Sequence, residues 1–151
     1  MLLAQSLAPQ SAGWHYFNML TIPVQIRKSN IHGSGVFAAR DIHSDEVVWQ
    51  FAPGLDTVVG AYVLKYADPQ VRDYIMERGY INPLHPEDWV VCVDEAQFLN
   101  FPRQGEDANT KLGGLLDGQY LLLASVNIPA GTEITVPPES DFDYERKLQA
   151  R

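Results

Sequence analysis

Cysteine is almost missing from this chain. Cys92 is the one thiol among 151 residues, which excludes both an intrachain disulfide and a cysteine-rich zinc cluster. Set in the run Trp-Val-Val-Cys-Val (89–93), it reads as a small buried hydrophobe, and a reducing compartment, the cytoplasm, fits. Basic residues are also scarce: 11 Lys and Arg against 19 Asp and Glu leave a formal charge of −8. Nucleic acid is therefore disfavoured as a partner, because phosphate binding needs clustered Lys and Arg. The same charge suits a basic peptide, although acidity of this size also serves solubility alone. No apolar run is long enough to span a membrane, so no membrane partner is expected. The first 18 residues are mildly apolar, but they lack a charged n-region and are broken by Pro9 and Gly13, which makes them a poor signal peptide. They read as a tail or an upstream extension of the reading frame. The expected organisation is a tail over 1–21, one domain over 22–144 and a C-terminal tail over 145–151.

What is present supports a folded core. Apolar residues make up 46% of the chain, and a domain of this length buries roughly 70% of the surface of its unfolded chain. Ile-Pro-Val-Gln-Ile-Arg (22–27) alternates apolar and polar residues and reads as a strand. Ser-Gly-Val-Phe-Ala-Ala (34–39) and Glu-Val-Val-Trp-Gln-Phe (46–51) are two more β-rich runs joined by a polar turn. A helical stretch is expected from about Thr57 to Tyr66, and a second helix after Asp68. There Asp68 suits the N-cap, Pro69 the first helical position and Gly79 the position after the last turn. Val71, Tyr74 and Ile75 recur at three and four and give that helix one buried face. Residues 89–94, 119–126 and 132–136 read as strands, separated by the polar, glycine-bearing stretch 100–114 and the turn Asn-Ile-Pro-Ala-Gly (127–131). The pattern does not alternate βαβα, so the fold class is mainly β with one helical insertion between residues 57 and 78. One internal echo stands out: Asp-Ile-His-Ser-Asp-Glu (41–46) and Asn-Ile-Pro-Ala-Gly-Thr-Glu (127–133) both run Ile, turn, Glu, as two turns built alike.

Taken singly, the chemical motifs are weak. His-Gly-Ser-Gly (32–35) lacks the third glycine of a dinucleotide loop and the Lys-Ser/Thr pair of a P-loop. Gly33 and Gly35 still indicate a left-handed turn or a close approach of another group. His43, Ser44 and Asp45 are adjacent, and adjacent side chains cannot form a catalytic relay. The four histidines, His15, His32, His43 and His85, have no metal-ligand spacing, and no metal site is expected. Glu139 to Glu145 lacks the glycine of a calcium loop and reads as a solvated charged tail. Asn100, between Leu99 and Phe101, must find hydrogen-bond partners in apolar surroundings. It either ties two chain segments together or reads a polar ligand. Tyr62, Tyr66, Tyr80 and Trp89 read as core or as the lining of a site.

The order of these pieces is more specific than any one of them. Ser-x-x-x-Gly-x-Gly-Val-Phe-Ala is followed by Ala-Arg-Asp-Ile-x-x-x-Glu and the helical insert. Then come Asp-Glu-Ala-Gln-Phe-Leu-Asn, Ala-Asn-Thr, a strand, and Ala-Ser-Val-Asn-Ile-Pro-Ala-Gly-Thr-Glu-Ile-Thr. This order, over roughly residues 22–144, resembles the SET domain of S-adenosylmethionine-dependent protein-lysine methyltransferases, and it looks most like the small stand-alone bacterial members. The resemblance implies a β-clip fold with a pseudoknotted C-terminal region and a lysine-containing peptide or protein as substrate. It implies that His32, Gly33, Ser34 and Gly35 hold the methionine end of the cofactor, with Asn100 and Phe101 completing that site. Ala108-Asn109 corresponds loosely to the later Pro-Asn of the family, and Gly131 to Thr135 matches its Gly-Glu-Glu-Leu-Thr.

Two positions depart from the family pattern. The His of its Asn-His-Ser is Phe101 here, and Pro138 stands where an active-site Tyr is usual; a proline offers neither hydroxyl nor N–H. A working enzyme would take its phenol from Tyr144 or Tyr120. The alternatives are a catalytically impaired module that binds cofactor or peptide, and a cofactor-free β-rich interaction protein presenting the 100–111 loop. Whether Tyr144 and Asn100 converge on one cleft distinguishes them.

Overall fold

The computed structural model describes residues 19–150; the tail expected over 1–18, with His15, lies outside them. β1 (Val24–Lys28) and β2 (Ser34–Ala38) form an antiparallel pair in which Val24 faces Ala38 and Lys28 faces Ser34. β3 (Val47–Trp49) follows the first echo turn, and β4 (Thr57–Gly60) opens the insertion, which continues through α1 (Ala61–Tyr66), α2 (Pro69–Arg78), β5 (Tyr80–Ile81) and β6 (Asp88–Val91). A 3-10 turn, Glu95–Phe98, leads to Asn100. β7 (Thr110–Leu116) and β8 (Gln119–Ala124) form a hairpin, and α3 (Tyr144–Gln149) closes the chain. The strands group into three small sheets, ordered β1-β2, β3-β8-β7 and β4-β6-β5. The fold is mainly β with a helical insertion, as the sequence patterning requires. No helix among the described residues is long and apolar enough to cross a membrane.

The echo of residues 41–46 in 127–133 has a physical basis. Ile42 and Ile128 exchange both main-chain hydrogen bonds, each 2.8 Å, and both side chains are buried in the main core. Three residues after each isoleucine the backbone turns left-handed, at Asp45 (φ 68°) and at Gly131 (φ 85°). Asp is among the few residues other than Gly that adopt this conformation readily. The two similar turns thus lie side by side and present one isoleucine each to the same core, beside Val36, Val48 and Ile134.

Residues 131–136 carry no regular ladder, yet their backbone groups are satisfied from both sides. On one side Gly131 N–H and Ile134 N–H donate to Ala38 and Val36 carbonyls of β2, and Ala38 N–H donates to Thr132. On the other, Val136 N–H donates to Asn100 O, Thr135 N–H to Asn109 Oδ1, and Thr110 Oγ1 to Thr135 O. The C-terminal stretch is held between β2 and the 100–110 segment, as expected of a pseudoknotted region.

Several expectations need correction. The helical stretch from Thr57 splits: Thr57–Gly60 is a strand, because Val58 and Val59 pair with Val90 and Trp89 of β6, and only Ala61–Tyr66 is helical. In α2, Val71 and Tyr74 are about half exposed and only Ile75 is buried. Asp68 is its N-cap and Pro69 follows, but the Asp68 side chain makes no capping hydrogen bond. Gly79 is not left-handed (φ −82°). The polar stretch 100–114 hides the start of β7, where Gly113 and Gly114 sit at a bulge. The acidic tail is not solvated throughout: Asp141 is buried. Tyr62 and Tyr66 are exposed, whereas Trp89 is core, as expected.

Gly79 is required for space. A Cβ there would meet Ile75 O at 2.7 Å and Val90 O at 3.0 Å, both backbone atoms. Gly79→Ala is expected to destabilise the domain by about 1–3 kcal/mol, read as a fall in the thermal midpoint by circular dichroism.

Candidate functional site

The site is built around one side chain. Asn100 is 5% exposed, and its Nδ2 donates to the main-chain oxygens of His32 and Ser34, both 3.0 Å, and to Glu133 Oε1 at 2.9 Å. Glu133 also accepts from Ser29 Oγ at 2.8 and 2.9 Å. Ser29 Oγ in turn accepts from the N–H groups of Ile31 and His32, and Gly33 O accepts from Ser29 N–H at 2.8 Å. The His32–Gly35 loop is therefore fixed at its carbonyls by Asn100 and at its N–H groups by Ser29. Gly33 supplies the left-handed turn (φ 51°). Gly35 supplies room, since a Cβ there would lie 2.2 Å from Glu133 Oε1. Asn109 grips the other side of the same segment, with Nδ2 donating to Glu133 O at 2.8 Å.

A cavity of about 490 Å³ opens beside this network, within the range of ligand sites. His32, Gly33, Ser34, Asn100 and Phe101 lie in its wall together with Tyr120; Gly35 and Tyr144 do not. Tyr144 starts α3 and sets its ring edge-on to Phe101, with centroids 4.8 Å apart. The Tyr144 ring and Asn100 are thus brought to the same side, with Tyr144 one residue removed from the wall. Trp49, Leu112, Leu122 and Val136 supply apolar lining. The Trp49 indole N–H is buried without an acceptor.

Sequence reasoning read Tyr80 as core or lining without giving it a role, and it did not single out Asp141, Arg146 or Lys147. Tyr80 lies in the wall, donates its hydroxyl to Gln119 Oε1 at 3.0 Å and meets Trp49 edge-on. Burial pushes the Tyr80 phenol far above its ordinary pKa, so it stays a neutral donor. Asp141 accepts from the N–H groups of Ile81 and Asp143 and from Lys147 Nζ, which also donates to Gly79 O. Arg146 reaches the Met76 carbonyl. These contacts strap α3 over one side of the cavity, where Asp141, Arg146 and Lys147 join the wall. In the sequence Asp141 was one of four acids in the stretch read as a solvated charged tail, which hid its separate role. Glu133 was visible within the Gly-Thr-Glu-Ile-Thr match, and only the close approach to Gly35 gives it a role.

Gly35→Ala is expected to turn Glu133 away and break its bonds to Ser29 and Asn100. The cost expected is about 1–3 kcal/mol of stability, measured by denaturant titration, with the fold retained.

No protein-family model matches the chain, and no curated protein matches it in sequence. Solved structures do match in fold. Chaetomium thermophilum Polycomb Repressive Complex 2 bound to GSK126 is similar at a TM-score of 0.59 and 19% identity, over 85% of this chain and 17% of that one. The apo complex in an autoinhibited state gives 0.59 and 19%, over 86% and 17%. The same complex in an autoinhibited conformation bound to S-adenosylmethionine gives 0.57 and 18%, over 86% and 17%. This chain spans about a sixth of the length of those chains. A likeness at such low identity speaks to the fold: the chain has a SET-like fold.

Proposed function

We propose that the chain is an S-adenosylmethionine-dependent protein-lysine N-methyltransferase acting in the cytoplasm on a lysine-containing peptide or protein. The observation that carries the reading is the convergence of the His32–Ser34 loop, Asn100, Phe101 and Tyr120 on one 490 Å³ cavity. One of the solved complexes similar in fold is bound to S-adenosylmethionine.

The wall suits that cofactor. The His32 and Ser34 carbonyls, already oriented by Asn100, can accept from an amino group through their remaining lone pairs. Phe98, Leu99 and Phe101 offer apolar surface to a ring. When bound, S-adenosylmethionine supplies a methyl group on a positively charged sulfur. The chain's contribution is orientation and desolvation. Trp49, Leu122 and Val136 remove water from an incoming lysine side chain, which lowers the pKa of its amine and exposes a lone pair. Tyr120, which shares the wall with Tyr80, would orient that amine through its hydroxyl. Tyr144 acts one step back, by fixing the Phe101 ring. The net charge of −8 draws in a basic peptide.

A second reading, a module that binds cofactor or peptide without turnover, is favoured by one contact. Phe101, 6% exposed, closes against Tyr144 where the family has a histidine. Calorimetry with S-adenosylmethionine followed by methyl transfer to a lysine-rich peptide separates the readings. The expected result is binding with measurable transfer, and a roughly 10²-fold loss of turnover in Tyr120→Phe with binding intact. Binding without transfer assigns the impaired module. No binding at millimolar ligand leaves a cofactor-free interaction protein.

A further inference from the structure

A second cluster of chemically capable side chains borders this cavity, with Cys92 in the cavity wall and Asp56 and Asp94 behind it. Thr57 of β4 faces Val91 of β6, so the register carries Asp56 to the position across from Cys92. Cys92 follows the end of β6, and the chain bends at Val93 and Asp94 before the 3-10 turn, which brings the Asp94 carboxylate back beside Cys92. The Cys92 Sγ and one carboxylate oxygen each from Asp56 and Asp94 all lie within 4.8 Å of one another. Asp56 and Cys92 are 5% and 6% exposed.

The cluster is electrostatically incomplete. Asp56 Oδ2 accepts from Ala52 N–H at 2.9 Å, whereas Asp56 Oδ1 is enclosed and has no hydrogen-bond partner among the described residues; the Val93 N–H also favours the carboxylate. An acceptor buried without a donor is costly. Asp94 accepts from Leu20 and Ala96 N–H groups. No Lys, Arg or His forms an ion pair with any of the three among the described residues. A positive charge at this point would satisfy all of these groups together.

We propose that Asp56, Cys92 and Asp94 form a binding site for one thiophilic divalent cation of the zinc class. A thiolate with two carboxylates is a mixed sulfur and oxygen donor set that suits Zn²⁺ or Co²⁺ and does not suit Mg²⁺ or Ca²⁺, which take oxygen ligands. The fourth position falls to water. On binding, the Cys92 S–H bond gives way to a metal–sulfur bond and its proton passes to the buffer, together with any carboxyl proton. The site ties the loop before β4 to Asp94, whose Oδ1 caps the 3-10 turn that leads to Asn100. Metal therefore stiffens the segment carrying the Asn100 clasp, whatever the reaction at the cavity.

The test uses the full chain, stripped with chelator and titrated with Zn²⁺ by calorimetry and with Co²⁺ by absorption. The expected result is one equivalent bound, a thiolate-to-cobalt charge-transfer band, and a rise in thermal midpoint of about 5 °C at 100-fold excess over Kd. Cys92→Ser should remove the band. Asp56→Asn, which keeps an oxygen for Ala52 N–H, should weaken binding at least about tenfold while the metal-free thermal midpoint stays near that of the parent. No bound equivalent, or binding unchanged in Asp56→Asn and Cys92→Ser, overturns the proposal; the first outcome leaves a proton as the shared cation and the second an adventitious surface ion.

Discussion

The two N–H donors of Asn100 Nδ2, shared among three acceptors, hold together parts of the chain that are far apart in sequence. They join the 3-10 segment to the glycine loop at His32 and Ser34 and to Glu133 near the other end of the fold. Without them the 131–136 stretch would keep its contacts with β2, but the loop would lose its anchor and the cavity its polar corner. An amide suits the position because its NH₂ group supplies donors to several acceptors while remaining uncharged. The constraint reaches further through Glu133. Its carboxylate lies so close to Gly35 that no side chain fits there. It also holds Ser29, whose hydroxyl anchors the loop's N–H groups. One crowded point thus accounts for a glycine, a serine, an asparagine and a glutamate.

The hydrophobic core supports that polar crossing. Ile42, Val36, Ile128 and Ile134 are almost fully buried around it. The two similar turns that deliver the isoleucines make a symmetric main-chain pair. The insertion, in contrast, has a thin core of Ile75, Trp89 and Val91. It is attached to the rest through the Asp141, Lys147 and Arg146 strap as well as through β5 and β6. A region with few buried apolar contacts is where opening motions are least costly.

Much of this was legible in the sequence where local chemistry and tertiary role agree. Ser34–Ala38 and Gln119–Ala124 read as strands because their β-branched and apolar residues are buried in sheets. Asn100 could be singled out because an amide among apolar residues demands partners. Asp45 could be read as a turn residue, and its φ of 68° bears this out. Reading failed where pairing overrode composition. Thr57–Gly60 runs into α1 with only Gly60 marking the junction, and pairing with β6, distant in sequence, makes it a strand. The glycines of β7 resembled loop because the bulge between Leu112 and Leu115 uses them. Asp141 looked solvated because its partners, Ile81 N–H and Lys147, lie on other elements. Tyr80 was one tyrosine among several until the fold placed it beside Trp49.

The central claim is that the Asn100 crossing shapes a ligand cavity at the His32–Ser34 loop. Amide NMR of the labelled chain, recorded with and without S-adenosylmethionine, tests it most directly. The account predicts shift changes concentrated in residues 29–35 and 97–101. The Ile134 and Val136 amides, bonded to Val36 and Asn100, should stay protected from exchange throughout. Shifts confined to other surfaces, or rapid exchange at Ile134 and Val136, would contradict it.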